Sequence, residues 1–164
     1  MPILHLGVID IPYVDNSEPK SRKKSGRPGP HKAHVKKYKN LTTGDVAEIL
    51  EDKYHVIEHF YENNEEKIAE RLENSLAGAL ESILMGAPLS ISAFGMATSA
   101  IEDRFKDFLS LKELDALGYP GIPTLASLEG VSHRFKNPYA KRPPRPSFID
   151  TGLYQASFKS WVDK

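Results

Sequence analysis

Cysteine is absent from this chain of 164 residues, which excludes disulfide frameworks, thiolate metal sites, iron–sulfur clusters and cysteine nucleophiles. Long apolar runs are absent too, since none approaches the roughly 18 residues that a membrane span requires. Residues 1–15 carry two aspartates and no Lys or Arg, unlike a secretory signal. These absences predict a protein without membrane contact that is made and kept in a reducing cytosol, or in a particle assembled there.

Sequence motifs for catalysis are also missing. The chain has no GxSxG elbow, no P-loop and no GxGxxG after a strand-like segment. His55 and His59 are spaced i and i+4, with Glu51 and Glu62 on neighbouring turns, a spacing that would suit a divalent metal. No HExxH pattern and no third ligand at the usual spacing accompany them, so the pair is more typical of the polar edge of an amphipathic helix. We therefore predict no catalytic residue, no metal and no cofactor, and a protein that is not an enzyme.

Charge is segregated along the chain although the net charge is zero. Residues 1–19 carry three acids and no base, and residues 20–39 carry nine bases and no acid. Residues 40–117 carry sixteen acids against six bases, whereas residues 118–164 carry seven bases against three acids. Blocks of like charge are typical of arms that bind an oppositely charged partner, or of faces that meet another copy of the chain.

The composition divides the chain into three segments. Residues 1–15 are predicted to be an N-terminal strand or arm, because branched apolar residues lie between two prolines. Residues 16–40 are rich in Pro, Gly and positive charge and are predicted to be a basic flexible arm. Residues 41–164 are predicted to be a single helical α+β domain, with an extended irregular loop at 118–147 that holds six of the twelve prolines.

The strongest helical pattern runs over residues 45–85, where apolar residues recur every three or four positions. Residues 42–45, Thr-Thr-Gly-Asp, supply the N-cap candidates, and Asp45 with Glu48, three residues later, has the spacing of a capping box. The polar pair Asn63-Asn64 leaves two alternatives open, one long helix or two helices broken at that pair.

A further helix is predicted to begin at Thr98 or Ser99 and to turn one apolar side inward. The residues of that side are Ile101, Phe105, Phe108, Leu109 and Leu114.

The C-terminal segment is predicted to be a capped helix that packs back on the long N-terminal helix. Asp150 or Thr151 can supply the cap, and Gly152 permits a tight turn. The apolar side of this helix would consist of Leu153, Tyr154, Phe158, Trp161 and Val162. The predicted fold class is therefore helix-dominated α+β, with a long N-terminal amphipathic helix or helix pair, an irregular Pro-rich excursion, a C-terminal capped helix and few short strands.

The same segment carries a resemblance to a known family. Arg142–Phe158 contains a Pro-rich lead, then Ile149-Asp150-Thr151-Gly152-Leu153-Tyr154 and, three residues on, Ser157. This stretch resembles a signature of small tailed-bacteriophage morphogenesis proteins, the head–tail joining, neck and tail-completion family. That family includes the connector ring of lambdoid phages and the virion morphogenesis protein of Mu. It places a long helix before an irregular insertion, an order that residues 45–85 and 118–147 share.

The resemblance implies a structural virion protein that forms a homo-oligomeric ring at the neck or tail top, joins the head to the tail and lets DNA pass. The implied partners are the portal or connector and tail proteins. The implied location is the virion, assembled in the cytoplasm of the bacterial host; a neck ring and a tail terminator both fit. Family members usually continue into sheet strands after the motif helix, so here residues 3–11 are expected to supply β pairing from the other end.

The basic arm is the candidate contact with packaged DNA or with a neighbouring subunit. Residues 23–30 resemble a loose AT-hook in which Ser25 replaces the first arginine of the core. A solubilising arm, a nuclear-type address and a strap across the acidic face of a neighbour are the alternatives. The cations of the arm are Lys20, Arg22, Lys23, Lys24, Arg27, Lys32, Lys36, Lys37 and Lys39. The candidate partner-facing residues of the later loop are Arg134, Lys141, Arg142 and Arg145.

A small DNA-binding accessory protein is the alternative function. Residues 20–39 would be its contact, and residues 41–50 look like the first helix of a helix-turn-helix. A recognition helix rich in Arg, Lys, Asn or Gln should follow, but glutamate dominates residues 51–75 and phosphate would repel it.

Overall fold

The computed structural model describes residues 3–12, 41–88, 93–132, 137, 139–140 and 142–163 of the chain. The basic arm with its nine candidate cations lies outside the described residues, and so do Arg134 and Lys141. Within the described residues, 57% are helical and form six helices beside a two-stranded sheet. This architecture confirms the predicted helix-dominated α+β class.

Helices α2 and α3 pack side by side, and strand β2 lies against α3 and pairs with β1. The elements in chain order are β1 (Ile3–Val8), α1 (Thr43–Tyr54), α2 (Val56–Leu84), α3 (Gly95–Ser110), α4 (Glu113–Ala116), α5 (Leu125–Leu128), α6 (Leu153–Ser157) and β2 (Phe158–Asp163). Among the helices that the structure describes, none has the length and apolar character needed to traverse a lipid bilayer.

The N-terminus of α1 is closed by a reciprocal capping box between Thr42 and Asp45. The Asp45 N–H donates to the Thr42 hydroxyl at 3.2 Å, and the Thr42 N–H donates to the Asp45 carboxylate at 2.9 Å. Thr42 has an extended backbone (φ −102°, ψ 169°), which is the conformation that an N-cap requires. The capping box predicted for Asp45 with Glu48 was therefore placed three residues too late.

The long helical pattern is broken at His55, not at Asn63-Asn64. His55 adopts a left-handed conformation with φ 48°, and the Glu51 carboxylate reaches past it to accept the Ile57 N–H at 2.9 Å. Glu51 thus caps the start of α2 from the end of α1. The asparagines stay helical because their side chains bond to carbonyls one turn back, Asn64 to Phe60 at 2.8 Å for example. The structure has the helix pair, with the break a little more than two turns earlier than predicted.

The core is an aromatic cluster between α2, α3 and β2. Phe105 stacks on Phe158 with ring centroids 3.9 Å apart, and Phe60 meets Phe105 at 5.1 Å and Phe158 at 5.8 Å, edge to face. All three side chains are fully buried. Aromatic pairs of this geometry stabilise a fold by about 0.5–1.5 kcal/mol beyond the burial of their area. The last strand therefore closes the core that the two long helices begin.

The predicted inward side of the third long helix is confirmed. Ile101, Phe105, Phe108 and Leu109 are buried on α3; Leu114 is buried as well, but it lies on the separate helix α4, because α3 ends at Ser110. The helix itself starts at Gly95, because Thr98 is already inside it and bonds back to the Gly95 carbonyl at 3.1 Å. The predicted cap at Thr98 or Ser99 was therefore wrong.

The C-terminal segment leaves the predicted helix after about one turn. Helix α6 ends at Ser157, and β2 then pairs antiparallel with β1, so that Phe158 lies opposite Val8. The Ile9 N–H extends the pairing by donating to the Ser157 carbonyl at 2.8 Å. The expectation that residues 3–11 supply β pairing from the other end of the chain is confirmed, and the helical assignment beyond Ser157 was wrong.

Burial along β2 follows the pleat of a strand. Phe158 and Ser160 are buried, whereas Trp161 is 45% exposed and stacks on His5 with ring centroids 5.3 Å apart. A helix would have turned Phe158 and Trp161 to the same side. The strand forms instead because the backbone N–H and C=O groups of β1 require partners, and β2 supplies them.

The apolar side of α2 is covered only in its first part. Ile68 and Leu72 pack against the core, but Leu76, Leu80 and Leu84 are 45%, 53% and 88% exposed. The apolar spacing of the sequence continues to Leu84, but the described part of the chain packs against it only as far as Leu72. At 1.5 Å per residue α2 is about 44 Å long and α3 only about 24 Å, so α3 is too short to cover it.

Arg104 ties α2, α3 and α4 together. Its Nε donates to the Oδ1 of the buried Asn64 at 2.8 Å, and its two terminal nitrogens bind both carboxylate oxygens of Glu113. These hydrogen bonds from Arg104 lower the pKa of the Glu113 carboxyl below its ordinary value. A bidentate pair of this kind fixes the short helix α4 against the two long ones.

Replacing Glu113 with glutamine is expected to destabilise the protein at neutral pH and to matter progressively less in acid. Because folding depresses the pKa of Glu113, the stabilisation is present above the unfolded-state pKa of about 4.3 and is lost as pH falls through the folded value. Urea unfolding at several values between about pH 7 and pH 3 measures the difference in unfolding free energy. Glu129→Gln, at an exposed position, is the matched control. A wild-type advantage over Glu113→Gln that stays constant across this range would contradict the prediction.

Candidate functional site

The Asp150-Thr151-Gly152 turn starts helix α6. Gly152 has a positive φ of 76°, a conformation that favours glycine, and it occupies the N-cap position. The Thr151 hydroxyl accepts a hydrogen bond from the Leu153 N–H at 3.0 Å and so satisfies one donor at the helix start. The prediction that Asp150 or Thr151 is the N-cap residue was wrong by one or two positions, but the motif does open the helix.

The guanidinium group of Arg145 holds this turn in place by hydrogen bonds. Its Nη1 donates to the Ile149 carbonyl at 2.6 Å and to the Asp150 carboxylate at 3.0 Å, and its Nη2 donates to the Val131 carbonyl at 2.8 Å. Asp150 also accepts from the Ser132 hydroxyl at 2.9 Å. We call these five residues the Arg145 clamp. Its guanidinium binds carbonyls that an irregular backbone leaves without helix or strand partners, and the partner-facing role of Arg145 stays a prediction.

The described part of the loop at 118–147 is more ordered than its prolines suggested, since it contains α5 and three buried serines, Ser127, Ser132 and Ser147. The Ser147 hydroxyl accepts from the Thr124 N–H at 3.1 Å and lies 3.1 Å from the Ser127 hydroxyl. The Ser147 N–H donates to the Asp115 carboxylate at 3.2 Å, which ties the end of the loop to α4. Side-chain hydrogen bonds therefore fix the described part of the loop, which the sequence predicted to be irregular.

A groove of about 570 Å³ lies between α1 and the segment around the Asp150-Thr151-Gly152 turn. We call it the motif groove and define it by Val46, Leu50 and Tyr54 on the α1 side and Phe148, Thr151 and Tyr154 on the other. Tyr54 and Phe148 meet across it with ring centroids 5.0 Å apart. The groove is open to solvent, its walls are mostly apolar, and the Arg145 clamp fixes one of them. It has the size and lining of a site that receives a few apolar side chains.

The described residues that flank the basic arm meet beside the motif groove. Pro12 and Thr42 form an isolated antiparallel bridge, the Thr43 N–H donates to the Ile11 carbonyl at 2.8 Å, and the Ile11 N–H donates to the Thr43 hydroxyl at 2.7 Å. Leu41, the first described residue after the arm, lines the groove itself. The described residues nearest the basic arm on its two sides, Pro12 and Leu41, therefore lie together next to the groove.

The histidines flagged by the sequence lie at the junction of α1 and α2. Glu51, His55 and Glu58 place ligand-type atoms within 4.8 Å of one another. The Glu51 oxygens already accept N–H groups at the start of α2, one of them from Glu58 at 3.0 Å, and the His55 Nδ1 binds the Glu58 carboxylate at 2.9 Å. His59 is not part of this group, since its ring stacks on Tyr119 at 3.4 Å. A helix cap accounts for this geometry.

The remaining motif residues belong to the core and the sheet. Tyr154 is buried and meets Phe105 edge to face at 6.0 Å, and the Ser157 hydroxyl donates to the Tyr154 carbonyl at 2.9 Å. Leu153 is half-buried. The motif thus has two sides, one that seals the core and one that lines the groove.

Arg142 is the other described residue of the predicted partner-facing loop. Its Nη2 donates to the Asn137 carbonyl at 3.0 Å. It therefore helps to order the loop, as Arg145 does.

The α1 wall of the groove was missed by the sequence interpretation, which assigned its apolar residues to a general core face. A local signal was available. Leu41 and Val46 occupy the positions before the N-cap and at the fourth helical residue, which is the pattern of a hydrophobic staple. Both residues line the groove.

Comparison with known proteins found no match: no family model, no curated protein and no solved structure matches the chain.

Proposed function

We propose that this protein is a structural subunit of a tailed-bacteriophage virion that assembles as a homo-oligomeric ring at the neck or tail top. The ring joins the head to the tail, contacts portal or connector and tail proteins, and lets DNA pass. The observation that carries the proposal is the motif groove, because the segment 142–158 that carries the resemblance forms one wall of an apolar, solvent-open surface next to the described residues that flank the basic arm. Such a surface serves an interface between chains.

Charge supports assembly with other copies. Helix α1 carries four acids against Lys53, and α2 carries seven glutamates against Lys67 and Arg71. The basic arm supplies the opposite charge from a neighbouring segment of the chain, so that one subunit can attract the acidic helices of the next. Where the arm meets DNA instead, contact with phosphates is independent of base sequence and lets the duplex slide.

The alternative, a small DNA-binding accessory protein, receives less support. A single residue, His55, separates α1 from α2, and α2 carries the seven glutamates where a recognition helix would need cations. The basic arm is the feature that favours this function.

Native mass spectrometry and negative-stain imaging of the purified chain at moderate salt test the proposal. A ring or another fixed high-order oligomer is the expected result. A monomer or dimer whose affinity for duplex DNA falls steeply with added salt would contradict it and favour the accessory protein.

Replacing residues 16–39 by a short Gly-Ser linker gives a second readout, because the paired flanks at Pro12 and Thr42 need only a short connection. The linker chain should fold and assemble poorly. A control chain with the same 24 residues in shuffled order keeps the nine cations and should assemble as the wild type does if charge is what the arm contributes.

A further inference from the structure

One edge of strand β1 carries backbone groups that no described residue binds. The Ile9 N–H points toward β2, because it donates to the Ser157 carbonyl at 2.8 Å. Backbone groups alternate in direction along a strand, so those of Leu4, Leu6 and Val8 point away from β2. Within the described part of the chain, nothing donates to or accepts from these N–H and C=O groups. We call them the free edge of β1.

The opposite edge of the sheet shows how such groups are satisfied elsewhere in the fold. Ser160, which lies opposite Leu6, also directs its N–H away from the other strand, and it donates to the Glu102 carboxylate of α3 at 3.3 Å. Helix α3 therefore covers β2, whereas the free edge of β1 has no such cover from the described residues.

Strand β1 lacks the features that normally protect an exposed edge from pairing. Native edge strands carry lysine or proline, or are bent by a bulge. The strand reads Ile-Leu-His-Leu-Gly-Val, without Lys, Arg, Asp, Glu or Pro, and its register with β2 is continuous from Ile3 to Val8. An edge of this kind is a template on which a further extended strand can pair.

The free edge is complementary to a second copy of itself. When two β1 strands lie antiparallel with Leu6 on the two-fold axis, Leu6 faces Leu6, and Leu4 faces Val8 of the second copy. The three N–H and three C=O groups of each copy then all have partners. An axis one residue nearer the N-terminus would bring Val8 opposite Pro2, which has no N–H to donate.

The exposed side chains next to the free edge agree with the same axis. Ile3 and Ile9 are 59% and 48% exposed, and they lie three residues on either side of Leu6. The two-fold axis places Ile3 of one copy opposite Ile9 of the other, so that each covers an apolar side chain. His5 comes to lie opposite Gly7, which has no side chain to collide with it, and no like charges meet.

We propose that β1 pairs antiparallel with β1 of a second copy, so that the two sheets join into one sheet of four strands. The contact is isologous, because the same edge serves both copies. It pairs subunits and does not by itself propagate, so it does not rest on the proposed function. A ring that uses this contact would contain an even number of copies.

Disulfide cross-linking tests the register of this contact, because the chain has no cysteine of its own. One chain carries Ile3→Cys, and a second, isotope-labelled chain carries Ile9→Cys. Opposite residues of this kind lie about 4.5 Å apart at Cα, within the reach of a disulfide. The expected result is a mixed cross-link, with little product from either chain alone, because copies of the same position lie roughly 20 Å apart. Equal cross-linking of each chain alone, or no mixed product, would overturn the proposal.

Hydrogen exchange distinguishes a second copy from a covering segment of the same molecule. The amides of Leu4, Leu6 and Val8 should exchange rapidly in dilute solution and become protected as the concentration rises. The amides of His5 and Gly7 point toward β2 and should be protected at every concentration. Protection of the first three amides that is independent of concentration would overturn the proposal, and so would exchange that stays rapid in concentrated solution.

Two charge variants measure the contact in solution. The chain with Ile3→Lys and Ile9→Lys places like charges opposite each other at both ends of the contact, and the chain with Ile3→Lys and Ile9→Glu places opposite charges there. Sedimentation should show a dissociation constant at least about tenfold higher for the first chain than for the second. Circular dichroism establishes that both chains fold, since both positions are exposed. Equal dissociation constants would overturn the proposal.

Discussion

Replacing Phe158 with alanine is expected to lower the free energy of unfolding by about 3–5 kcal/mol, the largest effect of any single change considered for this protein. The side chain is fully buried, stacks on Phe105 and meets Phe60 edge to face, so its removal leaves a cavity between two helices and the sheet. Urea unfolding followed by circular dichroism measures the loss.

Trp161→Ala is the matched control for this variant. It removes a larger aromatic ring three residues further along, but from the exposed side of β2, where the ring packs on His5. Its cost should be well below that of Phe158→Ala. Equal costs for the two variants would contradict the strand and favour a helix in which both rings face the core.

Replacing Arg145 with methionine is expected to lower the free energy of unfolding by about 2–4 kcal/mol and to loosen the wall of the motif groove. The variant leaves the Val131 and Ile149 carbonyls without the donors they have in the wild type, at a cost of about 1–3 kcal/mol for each buried group. Arg145→Lys should rescue little, because an ammonium group cannot span two carbonyls and a carboxylate as a planar guanidinium does.

Hydrogen exchange gives the local readout for this variant. Amides of residues 145–153 should exchange faster in Arg145→Met, while amides in α3 keep their protection. Arg71→Met, on the exposed side of α2, is the control and should change neither measurement. Unchanged exchange over residues 145–153 in Arg145→Met would show that the clamp does not order the groove.

The local spacing of apolar residues was sufficient to predict the long helices and the buried side of α3. The side of α3 that carries Ile101, Phe105 and Phe108 was predicted because helical periodicity is a property of neighbouring residues. The break at His55 was missed because its cause, the reach of Glu51 across the junction, is a side-chain contact that no periodicity reveals.

The strand at the end of the chain required information that lies far away in the sequence. Residues 158–163 have aromatic residues at helical spacing, and only pairing with residues 3–8 decides for a strand. The internal contacts of Arg145 were missed for a related reason: its partners, Val131 and Asp150, come from separate turns of an irregular loop.

The exposed end of α2 shows another limit of prediction from sequence. An amphipathic stripe indicates that a helix side is to be covered, but it does not say whether the same chain or another one covers it. Leu72 and Leu84 follow the same rule of spacing, yet the first is packed against the core and the second is almost fully exposed.

The pairing of β1 with β2 also governs when the protein can fold during translation. Asp163, the partner of Ile3 in the sheet, is added to the chain 160 residues after it. Phe158, which completes the aromatic core, is added 98 residues after Phe60. A nascent chain therefore holds α2 and α3 incompletely covered until β2 has been made.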